Sequence, residues 1–572
     1  MDLKILFESI TKNRVQSPDY EFSGSWDRNV FNSQIKNTRS KSIKLDEIVL
    51  FKILLNDLNI NTDTPFYGEC WQMWGQYEGT LDKPALLGLG DGDAYFGLPK
   101  KEGFFTVYNL LLLNPENRPH ILFAFTSCRR FQNKIRFSKE CIEIVVDMDG
   151  YILEPGQTAV LESFIYDENS STKILFDTLS NEICKNHPRL EFEQTPSGWC
   201  SWYCYERNIT EQIVLDNMKI ISENAPELKY IQIDDGYQSA WGDWLIENDK
   251  FPNGIKTLCE KIKSGGFEPA IWVAPFIVCE KSLLFREHPE WLVRDLNNNP
   301  RCLGVRNSGG NWYIIDGANP EVQQHFRRIF SVMHKEWGCT YFKLDFLSWS
   351  AIPGSRFYNN STSVEAFRLG MKAIRESVGN SFILGCNAPW WPSLGTVHGN
   401  RTSCDVSFDK FQNEKRILRE ILHRNWQHRR LWINDPDCFC LVKRNNEFEE
   451  KYYDFRASVV AASGGMMLSG DNTELYTNET WRKIRKLLRL IDCPAEIEPG
   501  KLETGIANLP DGNKIIYLFN WDLSPRDLSV KLPGKFLLKD YWTGKEIGVY
   551  ENEFTVVNME PETAKIILSI VS

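Results

Sequence analysis

Lys343 and Asp345 stand two apart in the stretch YFKLDFLS (341–348). Strand alternation therefore places both on one face of an otherwise apolar strand. Burying an ammonium and a carboxylate costs several kcal/mol per ion unless they pair well. A structural ion pair would explain two such charges taken alone. Other apolar segments, however, end in the same kind of residue. Asp234 and Asp235 close QIDDGY, Trp272 lies in EPAIWVAPF, and Cys386 and Asn387 close ILGCN. Arg401 and Asp405 share RTSCD, Asp435 and Asp437 share NDPD, and Trp202 and Tyr203 close GWCSWY. Asp435 and Asp437 read mainly as caps and turn residues, the usual role of Asp after a strand. Carboxylates at four strand ends, with two tryptophans, a lysine and an arginine, describe a pocket of acids and flat rings. That combination favours catalysis over structural pairing. Cleaving a glycosidic bond takes one ionised carboxylate, to attack the anomeric carbon or activate water, and one protonated carboxyl to protonate the leaving oxygen. Lys343 is expected to keep Asp345 ionised, which makes Asp345 the nucleophile.

Such residues converge only if the elements carrying them share one end of a barrel. From 1 to about 185 the chain reads as short strands and turns, an antiparallel sandwich. LGLGDGDAYFG (87–97) reads as a hairpin turn rather than a calcium loop, because further ligands are absent. After EFEQTPSGW, apolar strands at 198–203, 229–234, 268–274, 340–345, 381–386, 403–407, 430–434 and 465–469 alternate with amphipathic stretches. Those stretches, at 210–224, 256–265, 319–337, 363–378, 411–427, 449–462 and 478–491, are expected to be helices. The alternation predicts an α/β fold with a central (β/α)8 TIM barrel. The expected domains are an N-terminal β-sandwich at 1–190, the catalytic barrel at 191–497 and a small C-terminal β-sheet or sandwich domain at 498–572.

Composition narrows the class. A net charge of −10 over 572 residues argues against a nucleic-acid or anionic-membrane partner. Aromatics make up 13 % of the chain, with 19 tryptophans, and such rings suit the faces of sugars. The 15 cysteines are odd in number, lie largely in apolar strands and form no CxxC pair, and there are only eight histidines. A zinc site is therefore not expected, nor any other metal or cofactor. MDLKILFESITKNRV lacks a signal-peptide core, and no run of about 18 apolar residues spans a membrane. A reducing, cytoplasmic setting is expected.

GWCSWY, QIDDGY, GDWL, FPNGIKTLCEKIKSGGFEPAIWVAPF, HPEWLV, YFKLDF, AIPG, ILGCNAPWWPSLGTVHGNRTSCD and WINDPDC, in that order over about 195–440, resemble glycoside hydrolase family 36, the α-galactosidases. More distantly they resemble family 27 of the same clan. The resemblance implies a retaining double displacement, with Asp345 as nucleophile and Asp405 as acid/base. It implies Arg401 near the sugar 2-position, Asp234 and Asp235 accepting from O4 and O6, and Lys343 on neighbouring hydroxyls. Trp272, Trp202 and Tyr203 would wall the sugar, beside Cys386 and Asn387. A tryptophan of the N-terminal region would also approach it, from ECWQMW, which holds Trp71 and Trp74. The implied partner is a terminal α-galactoside of an oligosaccharide or glycoconjugate; a homo-oligomer is compatible with the resemblance. Asn387, where many relatives have Gly, and the bulky APWWP lie near the expected 2-substituent. They keep an N-acetylgalactosaminide or galactosamine substrate open. A galactosyl transferase and an inactive sugar-binding protein complete the alternatives.

Overall fold

The computed structural model describes residues 17, 19–90, 92–307, 309–408, 410–444 and 448–571. Eight short strands whose residues alternate between two apolar environments build its centre: β1 (Ser197–Cys200), β2 (Tyr230–Ile233), β3 (Glu268–Val273), β4 (Tyr341–Leu344), β5 (Phe382–Gly385), β6 (Gly399–Arg401), β7 (Ile433–Asp435) and β8 (Met467–Ser469). They pair in parallel in chain order, and β8 returns to pair with β1. Between β7 and β8 no ladder forms, but the Met466 N–H donates to the Asn434 carbonyl at 2.9 Å, so the barrel is nearly closed. Ile231, Ile233, Ile271, Val273, Phe342 and Leu344 face outward into the large core beneath the helices. Tyr230, Ala270, Tyr341, Phe382, Leu384, Ile433 and Leu468 face inward and form a separate core. The Tyr341 ring packs edge-on against Tyr230 and Phe382, with centroids 5.4 and 5.2 Å apart. Lys343 continues the inward row of β4 and Asp345 follows it past the strand's last residue, so both charges stand above an apolar floor.

Seven helices cover the barrel: α1 (Glu211–Asn224), α2 (Gly254–Ser264), α3 (Pro320–Ser331), α4 (Ser363–Ser377), α5 (Phe411–His423), α6 (Glu450–Ser463) and α7 (Asn478–Leu488). Thr210, Asn319, Thr362 and Thr477 cap four of them, each accepting a backbone N–H of the first turn. The expected helix at 319–337 ends its α portion at Ser331 and finishes as a wider π turn at Val332–Glu336. β5 and β6 have no helix between them, only a 3-10 turn at Trp391–Ser393. The expected sixth strand at 403–407 is in fact loop. The ladder runs at Gly399–Arg401, and Asp405 lies beyond it.

The N-terminal strands make a nine-stranded and a four-stranded antiparallel sheet, packed through Phe31 on Phe51 (4.8 Å) and Phe66 on Phe137 (5.0 Å). The expected hairpin at 87–97 is instead a helical turn, Gly92–Tyr95, with Asp91 outside the described residues. These sheets cover the place where the barrel lacks a helix. Trp391 and Trp390 are both fully buried there. The Trp391 indole donates to the Phe125 carbonyl at 2.7 Å, and the Trp390 N–H to the Trp71 carbonyl at 3.0 Å. Past α7, strands from Glu496 onward form one six-stranded antiparallel sheet. It docks on the helices through Trp521 against Phe455 (4.8 Å) and the Lys415–Glu562 pair at 2.6 Å.

Trp391→Ala should remove a full-size ring and leave the Phe125 carbonyl unpaired, costing about 3–5 kcal/mol. A lower denaturation midpoint would register this, and an unchanged midpoint would refute the docking role.

Candidate active site

Asp345 directly follows β4, and its own N–H still joins the ladder, donating to the Val273 carbonyl at 2.9 Å. Its carboxyl group receives three N–H donors. Asn387 Nδ2 (2.7 Å) and the Phe346 backbone (2.7 Å) donate to Oδ1, and Trp272 Nε1 (3.0 Å) donates to Oδ2. Both oxygens act as acceptors, the role of a carboxylate, and Oδ2 keeps the greater spare capacity. The position is held at a conformational cost. Phe346 (φ 54°) and Asn387 (φ 43°) both lie in the left-handed region. Asn tolerates that region, whereas a bulky Phe there is strained by about 1–3 kcal/mol.

Lys343 does not pair with Asp345. Its ammonium donates to Asp234 Oδ2 at 2.9 Å, and Asp345 acts on it only through its charge. Inward residues of alternate strands share a layer in such a barrel, and β2 and β4 are alternate strands. Burial opposes the charge on Lys343, but Asp234, acting together with Cys200, Cys386 and Asp345, outweighs it and holds the lysine well above its ordinary range. Gln232 Nε2 adds a second bond to the same Asp234 oxygen at 2.7 Å. Asp235 points to a different set of partners: Arg207 Nε (2.8 Å), Gln238 Nε2 (2.5 Å) and Trp241 Nε1 (3.2 Å). Burial raises its carboxyl above the usual range, against the pull of Arg207 and Gln238.

Arg401 ends β6 and is 1 % exposed, whereas the Asp405 side chain, four residues on, is 60 % exposed. Arg401 Nη2 donates to Asp405 Oδ1 (2.7 Å), to the Tyr203 hydroxyl (3.1 Å) and, in a very short contact, to Asp437 Oδ2. The Tyr203 hydroxyl also donates to Asp437, which accepts the Val406 N–H at 3.1 Å. Asp437 (φ 71°) therefore organises the loop carrying Asp405, and is more than the cap its sequence context suggests. Surrounding protein raises the Asp405 carboxyl above the ordinary carboxylate range. Arg401 opposes that shift, while the negative charges of Asp437 and Asp345 add to it. Asp405 thus faces open space and feels the charge of Asp345, a position suited to exchanging a proton. Cys386 lies between the two groups, its sulfur 3.8 Å from Arg401 Nη1. Burial pushes its thiol well above the ordinary range.

Aromatic rings flank this end of the barrel. Trp272 packs on Trp241 (5.2 Å), Trp241 on Phe346 (5.2 Å), Phe346 on Trp349 (5.0 Å) and Trp349 on Trp74 (5.8 Å). Trp74 Nε1 donates to Asn387 Oδ1 at 2.5 Å, and so props the amide that holds Asp345. Trp71 does not reach the site. It is buried at 1 % exposure and bonded to Gln132 at 3.1 Å. Trp202 is half-buried and rests on the inner barrel core. Trp391 points into the N-terminal sheets and the Trp390 ring packs on Trp432 and Arg424, so of the segment after Cys386 it is Asn387 whose side chain meets Asp345. Trp241, Gln232, Arg207 and Gln238 escaped the sequence reading, since nothing local marks an isolated Gln or Arg as facing a barrel mouth. Among the described residues no three His, Cys, Asp or Glu side chains are grouped to hold a metal, and no helix is long and apolar enough to cross a membrane.

Residues 229–383 match the family model described as melibiase. An A type blood α-D-galactosamine galactosaminidase from Flavonifractor plautii is 24 % identical over 41 % of this chain and 23 % of its own length. An Escherichia coli α-galactosidase is 40 % identical over 20 % of this chain and 16 % of its own. The chain thus aligns with about a quarter or less of these relatives' lengths. Among solved structures, an α-galactosidase from Thermus thermophilus in complex with p-nitrophenyl α-D-galactopyranoside superposes with a TM-score of 0.65. It is 21 % identical, over 85 % of this chain and 98 % of that one. The family 36 α-galactosidase from Geobacillus stearothermophilus gives 0.67 at 13 % identity, over 95 % and 80 %. The chain carries the melibiase segment at 229–383, from β2 into β5, within the fold of the family 36 α-galactosidases.

Proposed function

We propose that the protein is a retaining glycoside hydrolase that releases terminal α-linked galactose from oligosaccharides. The observation that carries this reading is the contrast between two carboxyl groups at one end of the barrel. Asp345 is pinned by three N–H donors, while Asp405 is open and its carboxyl is raised above the ordinary carboxylate range, a shift to which the charge of Asp345 contributes. In the first step Asp345 Oδ2 attacks the anomeric carbon while Asp405 protonates the departing oxygen, leaving a glycosyl ester on Asp345. In the second, Asp405 takes a proton from water, which displaces the ester and frees the sugar with its configuration retained. Asp234, Asp235 and Lys343 would receive the sugar hydroxyls, with the indoles of Trp272 and Trp241 excluding water beside them. The galactose-releasing relatives and the melibiase match support the choice of sugar.

A second substrate, an α-galactosaminide, is favoured by the acid-rich mouth. Of Asp234, Asp235, Asp345, Asp405, Asp435 and Asp437, all but Asp345 form direct ion pairs with Lys343, Arg207 or Arg401 among the described residues, with Arg456 and Lys250 acting at longer range, an excess of acids suited to a sugar ammonium. The relative named for galactosamine supports the same choice.

Nitrophenyl α-galactoside, α-N-acetylgalactosaminide and α-galactosaminide, assayed side by side, should be led by the galactoside. The first-formed product should be the α-anomer by NMR, and a β-anomer would refute retention. Asp345→Asn should abolish turnover. Asp405→Asn should slow alkyl or sugar aglycones by about 10²–10⁴-fold and nitrophenyl leaving groups far less. Equal losses on both substrate types would remove Asp405 from the acid role.

Asp437→Asn should shift the pH profile. The acid must hold its proton, so a raised pKa extends activity toward higher pH. Removing the Asp437 charge takes away one cause of that rise and leaves Arg401 freer to pull Asp405 down. The alkaline limb of kcat/KM should therefore move to lower pH, and a shift upward would contradict the electrostatic assignment.

A further inference from the structure

Arg424 follows the last residue of α5 and is completely buried, yet all five of its N–H bonds are used. Nε and Nη2 donate to Glu69 Oε2 at 3.1 and 2.6 Å. Nη2 also donates to the Gly75 carbonyl at 2.8 Å. Nη1 spends its two hydrogens on two separate segments: the Met73 carbonyl at 3.0 Å and the Thr402 carbonyl at 2.7 Å. The guanidinium plane lies 4.2 Å from the Trp390 ring. Glu69, from the N-terminal sheet, is equally buried, and its other oxygen accepts from the Tyr67 hydroxyl and from Gln427 Nε2 at 3.1 Å.

The two segments joined by that single nitrogen lead to the two carboxyl groups. Met73 precedes Trp74, whose indole holds Asn387 and through it Asp345. Thr402 follows Arg401 and begins the loop to Asp405. A second link repeats the connection, as the Cys404 thiol donates to the Trp74 carbonyl at 3.8 Å. A solvent-free guanidinium with every donor directed has one low-energy arrangement, because any shift leaves a buried donor or acceptor unmatched. Lys could not replace it, since one ammonium cannot span carbonyls in a planar fork.

We infer that Arg424 is a positioning residue that fixes the acid/base loop against the Trp74 prop of the nucleophile, with Glu69 as its anchor. Residues 69–75, the connection between two strands of the N-terminal sheet, thereby help position the catalytic groups. The kinetic half of this inference rests on the hydrolase reading above; the mechanical half does not.

The test uses the full chain with Arg424→Lys, and with Glu69→Gln as the milder second variant. Amide hydrogen exchange should rise at 70–75 and at 402–406 together, while the apolar barrel floor stays protected. In the same variants kcat/KM should fall at least about tenfold further for an alkyl or sugar galactoside than for a nitrophenyl one, as expected when the acid is displaced. The alkaline limb of the profile should move as well. Should neither variant fold, exchange in the wild-type chain decides, because the two segments must then open as one unit. Independent opening of the segments overturns the clamp. Joint opening with equal losses on both substrate types overturns its role in placing the acid. A wild-type chain that turns over no α-galactoside, yet opens jointly, refutes the hydrolase reading and leaves the clamp standing.

Discussion

The charges inside the barrel mouth are tolerable because an opposite charge or a set of N–H donors answers them, and the Lys343–Asp234 pair is the pivot of that matching. An ammonium held out of water costs several kcal/mol unless a carboxylate answers it. With Asp234 answering it and Gln232 supporting the same oxygen, Lys343 makes no direct bond to Asp345. That separation lets neutral donors alone hold Asp345, which keeps its carboxylate from being consumed in a tight ion pair. The same logic runs on the opposite side. Asp437 takes a very short bond from Arg401, so the arginine divides itself between Asp437 and Asp405, and the Asp405 carboxyl stays above the ordinary carboxylate range.

The N-terminal sheets are structural neighbours of this balance. A (β/α)8 pattern ordinarily covers each interval between strands with a helix. Here the β5–β6 interval carries only a 3-10 turn, and Trp391 by its indole and Trp390 by its backbone N–H bridge the gap to the N-terminal region. The exposed apolar flank that a missing helix would leave is thus covered by another part of the chain. The loops on either side of the gap carry Asn387 and Asp405, so the covering sheets come into contact with the site's supports.

Three strained turns support the two carboxyl groups. Phe346, Asn387 and Asp437 adopt left-handed backbone conformations at the ends of β4, β5 and β7. Each turns the chain sharply just beyond a strand, and each contributes a polar atom to the network around the two carboxyl groups. The rigid ladder below and the aromatic packing above hold these residues in place.

Much of this was legible in the order of residues. Period-2 alternation puts Lys343 and Asp345 on one face whatever the fold, and the repeated strand-then-helix texture implies a barrel that collects strand ends at one mouth. Those are local or cumulative properties, so Asp234 and Asp345 at strand ends are legible in the sequence alone. Partner choice is not. Lys343 pairs across β3 with Asp234, Trp74 rather than Trp71 reaches Asn387, and Asp437 binds Arg401 and Tyr203 rather than merely capping a turn. Asp405 leaves the strand for a loop because the ladder ends at Arg401. Each of these outcomes depends on distances between segments tens to hundreds of residues apart, which no local period encodes and which only the closing of the barrel against the sheets decides.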